Sequence, residues 1–167
     1  MTPKDFVKKY KPFALESEKK TGISHLFILA QAALESGWGN SAPGNMFFGV
    51  KAGKDTPVNK KQLLNTTEVL DTPNLGYKFP QVMSIYQLPN GKYKYEVKDW
   101  FRKYDTPEEC FTDHAQFFFK NNRYAKALLV KADPYKFAEE VAKAGYATAT
   151  NYADSLKKII KMLESYE

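Results

Sequence analysis

The segment from Ser24 to Trp38 constrains this chain more than any other. Leu26, Phe27, Ile28, Leu29, Ala30, Ala32, Ala33 and Leu34 leave almost no polar face. A helix formed here is apolar nearly all round and belongs in an interior. Ser24 stands where an N-cap is wanted, and Gly37 where a left-handed residue closes a helix. The run Gln31-Ala32-Ala33-Leu34-Glu35-Ser36-Gly37-Trp38-Gly39 then puts one carboxylic acid on the last turn. An unpaired buried carboxylate is costly unless it gains partners or takes up a proton. The partial negative charge of a helix C-terminus also opposes its ionisation. Both effects raise the pKa, which gives Glu35 the setting of a general acid. The competing role is a solvated glutamate near a helix end.

The 167 residues fit one domain or one domain with two lobes, and the 43% hydrophobic content can build a core. The 12 Phe, 11 Tyr and 2 Trp include rings of the kind that stack on sugars or nucleobases, although most such rings fill cores. A net charge of +6 and a pI near 9.2 point to an anionic partner: nucleic acid, a membrane surface or a bacterial cell wall. The basic clusters Lys8-Lys9, Lys19-Lys20, Lys60-Lys61 and Lys157-Lys158 are scattered. They form no sustained stripe and accompany no nucleic-acid motif, so no nucleic-acid partner is expected. Cys110 alone excludes an internal disulfide. His25 and His114 are too few for most metal sites; both are read as structural, and neither metal nor cofactor is expected. No stretch is long and apolar enough to span a membrane. The start, Met1-Thr2-Pro3-Lys4-Asp5-Phe6, shows no secretory signal, which leaves the export route open. A monomer is expected.

Hydrophobic spacing predicts helices over 4–20 and 24–36, the first with Phe6, Val7, Tyr10, Phe13, Ala14 and Leu15 on one face. Residues 37–62 read as an irregular loop. Residues 63–102 read as a small antiparallel β element. Thr66-Thr67-Glu68-Val69-Leu70 has strand composition, and two further strands flank Pro89-Asn90-Gly91. Thr106-Pro107-Glu108-Glu109 is a capping box opening a helix to about Phe119. Further helices are predicted near 123–131, 134–144 and 152–165. The expected fold is α+β and mainly helical, with the β lobe at about 63–102 inserted in one domain spanning 1–167.

Several segments together resemble the bacterial endo-β-N-acetylglucosaminidase family (glycoside hydrolase family 73, the flagellar and autolysin type). Ala30 to Gly39 resembles its signature around the catalytic glutamate. Phe48-Gly49-Val50-Lys51-Ala52 resembles its Phe-Gly-Ile/Val-Lys segment, and Trp100-Phe101-Arg102-Lys103-Tyr104 its Phe-Arg-x-Tyr strand. Arg123-Tyr124-Ala125 is similar to its Arg-Tyr-Ala. Ala144-Gly145-Tyr146-Ala147-Thr148 followed by Asn151-Tyr152-Ala153 is similar to its ending. The matches stand in family order from about residue 24 to 160. One departure is Met46, where the family often has Asn two residues before the Phe-Gly pair.

The resemblance implies a lysozyme-like helical lobe and a β lobe flanking a groove for peptidoglycan glycan. It implies hydrolysis of the β-1,4 bond between N-acetylglucosamine and N-acetylmuramic acid, at the cell wall in the periplasm or outside the cell. Glu35 matches the catalytic acid, Glu68 is the candidate for a second functional glutamate, and Tyr146 matches a tyrosine near the catalytic centre. Glu96, Asp71 and Asp99 are substitutes for Glu68, whose competing role is a solvated strand position. Trp38, Phe48 and Tyr152 are candidates for sugar contact, with packing as the competing role, favoured for Tyr152.

Besides the acid, three agents can stabilise the oxocarbenium-like centre: a β-lobe carboxylate activating water, a nearer carboxylate as nucleophile, or the substrate's own N-acetyl oxygen. Rival readings are a lytic transglycosylase or a muramidase of lysozyme-like fold, and a non-catalytic wall-binding module. The setting of a phage lysin, a secreted effector or an autolysin fragment stays open.

Overall fold

The computed structural model describes residues 1–167, which divide into two compact units, Met1–Phe48 with Tyr104–Glu167, and Gly49–Lys103. The first is helical. Helix α1 (Pro3–Thr21) is capped by Thr2, whose hydroxyl accepts from the Asp5 N–H, and α2 (His25–Ser36) by Ser24, which accepts from the Leu26 N–H. Then come α3 (Pro107–Lys120), α4 (Ala125–Leu128), α5 (Pro134–Lys143) and α6 (Tyr152–Glu164). Thr106 caps α3, accepting from the Glu109 N–H, and Asp133 caps α5, accepting from the Tyr135 and Lys136 N–H groups. These short polar side chains satisfy N–H groups that the first helical turn leaves orphaned.

Helix α2 contacts α1, α5 and α6, which is why it can be apolar on nearly every side. Phe27 meets Phe137 edge-on at 4.5 Å between ring centres and Phe118 at 6.1 Å. Phe6, Phe47, Phe111, Ile23, Leu29, Leu156 and Ile160 are fully buried around this aromatic cluster. The predicted face of α1 is narrower than expected, because Leu15 is 41% exposed while Ser17 and Thr21 turn inward. The Thr21 hydroxyl donates to the Ser17 carbonyl, so these polar groups carry their own partner inward.

The helix expected over 123–131 is cut to Ala125–Leu128, with a 3₁₀ turn Asn122–Tyr124 before it. Beyond Leu128 the winding tightens: the Leu129, Val130 and Lys131 N–H groups bond carbonyls three residues back. The Lys131 carbonyl instead accepts from the Ser24 N–H at 2.9 Å, and Asp133 already caps the next helix. Too few residues separate those two anchors for another α turn.

The second unit holds a three-stranded antiparallel sheet in the order β1 (Lys61–Leu70), β3 (Tyr93–Arg102), β2 (Gln81–Gln87). The register pairs Glu68 with Tyr95, and Leu64 with Asp99. Tyr95 and Val97 are fully buried, and Lys94, Glu96 and Lys98 alternate with them, the period-2 pattern the sequence carries. Between β2 and β3, Gly91 takes φ +85° and the Leu88 N–H bonds the Lys92 carbonyl at 2.7 Å. Pro89, Asn90 and Gly91 thus form a three-residue hairpin loop with its left-handed residue last. Lys51 bridges to Phe101, extending the pairing into the segment before β1.

Candidate active site

Helix α2 ends abruptly, and the sequence explains how. Gly37, Trp38 and Gly39 are all left-handed, at φ +58°, +58° and +80°. The Trp38 N–H closes on the Ala33 carbonyl at 2.8 Å. Ser36, 1% exposed, donates its hydroxyl to the Ala32 carbonyl and accepts from the Gly39 N–H at 2.9 Å, pinning the turn. A non-glycine residue held left-handed costs on the order of 1–3 kcal/mol. Trp38 is held there while its ring packs edge-on against Phe6, 5.5 Å between centres. Glu35 is left projecting from the last turn.

The partner of Glu35 arrives from the far end of the chain. Gly145, at φ +86°, terminates α5, and the Tyr146 N–H bonds the Val141 carbonyl at 3.3 Å. This reversal carries the Tyr146 hydroxyl to 3.3 Å from each oxygen of Glu35. Tyr152, at the start of α6, stacks on Tyr146 with 5.5 Å between ring centres and 20° between planes. The Tyr152 hydroxyl accepts from the side-chain amide of Gln31 at 2.9 Å. The carbonyl oxygen of the same amide lies 2.8 Å from His114 Nε2, and that nitrogen is 3.3 Å from the Tyr146 hydroxyl. Glu35, Tyr146, His114, Gln31 and Tyr152 therefore form one polar chain through an otherwise aromatic wall.

Electrostatics follow from that wall. Glu35 as a residue is exposed, yet the protein crowded around its carboxyl displaces much of the water from that group. This desolvation raises its pKa to about 7, against a smaller lowering by the Tyr146 hydrogen bond. Desolvation, and next the nearby Glu35 charge, push the Tyr146 and Tyr152 phenols well above their ordinary range, so both keep their protons. Desolvation also lowers His114, to about 3. At neutral pH the site thus presents a carboxyl group that still holds its proton in part of the molecules, two neutral phenols and a neutral imidazole. Cys110, buried nearby, is pushed up to about 12, chiefly by desolvation, and is an inert thiol.

The other residues singled out from the sequence fall into distinct places. Phe48 stacks on His114 at 3.9 Å between centres and 16° between planes, half-buried. Tyr152 is 8% exposed, which leaves its ring little surface to offer a ligand. Glu68 lies on β1 in the sheet-bearing unit. There Lys51 Nζ donates to it at 2.5 Å and pairs with Asp99 at 3.2 Å. Glu96 accepts from the Thr67 hydroxyl and pairs with Lys94, and Asp71 faces Lys92 at 3.9 Å across an exposed edge. Met46, the departure from the family pattern, is buried, and its neighbour Asn45, at φ +58°, donates its amide to the Tyr104 carbonyl.

Two members of the polar chain were not among the sequence candidates. His114 was read as structural, and Gln31 was quoted only as part of a motif. A signal for Gln31 existed, since a lone amide in an apolar helix requires partners when buried. It is 1% exposed, one turn before Glu35.

This arrangement sits in a chain with recognisable relatives. The profile of the family described as mannosyl-glycoprotein endo-beta-N-acetylglucosaminidase matches residues 11–165. The chain belongs to the glucosaminidase family. Among glucosaminidase relatives, the peptidoglycan hydrolase FlgJ of Salmonella typhimurium is 34% identical over 171 residues, covering 97% of this chain and 46% of that protein. The exo-glucosaminidase LytG of Bacillus subtilis is 32% identical over 149 residues, covering 83% of this chain and 44% of that protein. The chain thus spans less than half the length of these curated relatives. The solved structure of a C-terminally truncated glycoside hydrolase domain from Salmonella typhimurium FlgJ superposes with a TM-score of 0.71 at 34% identity, covering 98% of this chain and 99% of that one. The mixed, mainly helical fold with a small antiparallel sheet is therefore that of glucosaminidase glycoside hydrolases.

Proposed function

We propose that this chain is a single catalytic domain that hydrolyses peptidoglycan glycan strands at the cell wall. It cuts the β-1,4 bond between N-acetylglucosamine and N-acetylmuramic acid, with Glu35 as the general acid. The observation that carries this reading is a carboxylic acid raised to about 7 at the end of a buried helix, with a neutral phenol on its two oxygens, in a chain of the glucosaminidase family. Glycosidic cleavage needs a proton on the leaving oxygen, and an acid with a pKa near the working pH both holds and releases it.

In this reading Glu35 protonates the leaving oxygen, and Tyr146 donates to the carboxylate left behind. Trp38 and Phe48 line the approach of the sugar. Tyr152 holds Tyr146 from behind. Glu68 is the candidate second carboxylate, and Lys51 donates to it. The net charge of +6 favours approach to a wall carrying peptide carboxylates and anionic polymers.

The test is digestion of purified peptidoglycan followed by mass spectrometry of the fragments. The expected products end in reducing N-acetylglucosamine. Reducing N-acetylmuramic acid would identify a muramidase, and a 1,6-anhydro-muramic end a transglycosylase. Binding without any fragment would identify a wall-binding module.

A further inference from the structure

We propose that His114 is a positioning residue of this hydrolase: its Nε2–H, given to Gln31 and shared with the Tyr146 oxygen, fixes the Tyr146 hydroxyl as a hydrogen-bond donor to Glu35. The inference rests on the reading of Glu35 as the general acid.

The argument runs along the polar chain from its buried end. Gln31 gives its amide hydrogens to Tyr152 and its oxygen to His114 Nε2. An amide oxygen only accepts, so the hydrogen of that contact is on the imidazole, and Nε2 is the protonated nitrogen. The Tyr146 hydroxyl lies 3.3 Å from the same nitrogen. A protonated Nε2 offers no lone pair, so Tyr146 cannot donate to it; its oxygen takes the longer, 3.3 Å branch of a three-centre bond whose 2.8 Å branch goes to Gln31. Its own hydrogen is left for Glu35, whose two oxygens lie at 3.3 Å.

Packing and the Gln31 contact together hold the ring. The imidazole stacks on Phe48, 3.9 Å away between ring centres, and lies within 5° of parallel to Phe117, 5.9 Å away. Phe118 meets its edge at 5.2 Å. The Gln31 contact fixes which edge of the ring faces Tyr146, because a half-turn would put a carbon where Nε2 now meets the Gln31 oxygen. Of the titratable groups facing it, Tyr146 is neutral, and desolvation keeps His114 itself neutral to about pH 3. The polarity therefore holds while Glu35 passes from acid to carboxylate. A neutral imidazole steering a phenol serves the step in which Glu35 has just released its proton, because the carboxylate then finds a donor already aimed at it.

The first measurement is on the wild-type enzyme: long-range ¹H–¹⁵N NMR of the imidazoles, with His25 the only other histidine. His114 is expected as the neutral Nε2–H tautomer from pH 7 down to pH 4. An Nδ1–H tautomer, or titration near the ordinary histidine value, overturns the proposal.

The second is kinetic. His114→Phe keeps the ring stack and removes the donor. It should lower kcat about tenfold, the rate equivalent of one ordinary hydrogen bond, and leave KM nearly unchanged. It should also move the alkaline limb of kcat/KM to higher pH, because the Glu35 carboxylate loses a fixed donor. His114→Gln, whose amide can reach the same place, should recover part of the rate and bring the limb back. Wild-type kcat with an unmoved limb in folded His114→Phe overturns the proposal. Full activity in Glu35→Gln would instead overturn the reading of Glu35. An inactive Glu35→Gln beside a fully active His114→Phe would remove only the role of His114.

Discussion

The Tyr146 hydroxyl stands 3.3 Å from both carboxylate oxygens of Glu35. Equal reach matters because a carboxylic acid can deliver its proton from either oxygen. Whichever one does, the phenol donor is already in contact with the anion that remains. The same burial that raises Glu35 also keeps Tyr146 protonated, so acid and donor stay matched across the neutral range.

Glu35→Gln should lower peptidoglycan cleavage by about 10²–10⁴-fold while leaving the fold intact, because the amide fills the same space without an acidic proton. It should also stabilise the protein in one pH window. In the native state Glu35 holds its proton up to about pH 7, against an ordinary value of 4.5. Between those values the folded chain keeps a proton that the unfolded chain has released, so wild-type stability falls as pH rises through the window. Melting temperatures of the two proteins should agree below pH 4.5 and separate above it, with the variant higher at pH 7.5. Coincident melting curves at every pH would show that Glu35 is not desolvated.

The rate should follow the same proton. In the free enzyme the acid form is required, so kcat/KM should be flat below about pH 7 until other groups titrate, and then fall about tenfold per pH unit. A pH profile on a soluble glycan fragment measures the midpoint. Activity still rising above pH 9 would assign the proton to another group.

The second catalytic agent can be read from the first anomer formed. If Glu68 activates water, Glu68→Gln should cut the rate strongly, and NMR should show an α product. If the N-acetyl oxygen attacks, the product is β, the Glu68→Gln loss is modest, and Tyr146→Phe is the more damaging change.

Tyr124→Phe should be neutral or should raise stability by about 1 kcal/mol. The Tyr124 hydroxyl is buried without a hydrogen-bond partner, beside Phe118 at 5.1 Å and Phe117 at 5.5 Å between ring centres. An unsatisfied buried hydroxyl costs about 1–3 kcal/mol, and the phenyl ring keeps the packing. Chemical denaturation measures the difference; a loss above 1 kcal/mol would mean that the hydroxyl is satisfied in solution.

The sequence by itself determined what local chemistry decides. Ser24, Thr106 and Asp133 cap helices because their short side chains reach the orphaned N–H groups two or three residues on. Gly37, Gly91 and Gly145 turn the chain where a left-handed residue is needed. The apolar run of α2 sets the environment of Glu35, because desolvation by itself raises a carboxyl. The tertiary structure decided whatever joins distant positions. Residues 31, 35, 114, 146 and 152 meet through hydrogen bonds and stacking between α2, α3 and the turn from α5 into α6. No spacing rule brings position 114 to 146, since the contact exists only once the aromatic core has set the helices against each other. The pairing of Lys51 with Glu68 likewise depends on the β1–β3 register and on the bridge from Lys51 to Phe101. Caps and turns act within a few residues, whereas tautomers, ion pairs and shared protons are set by neighbours that only packing supplies.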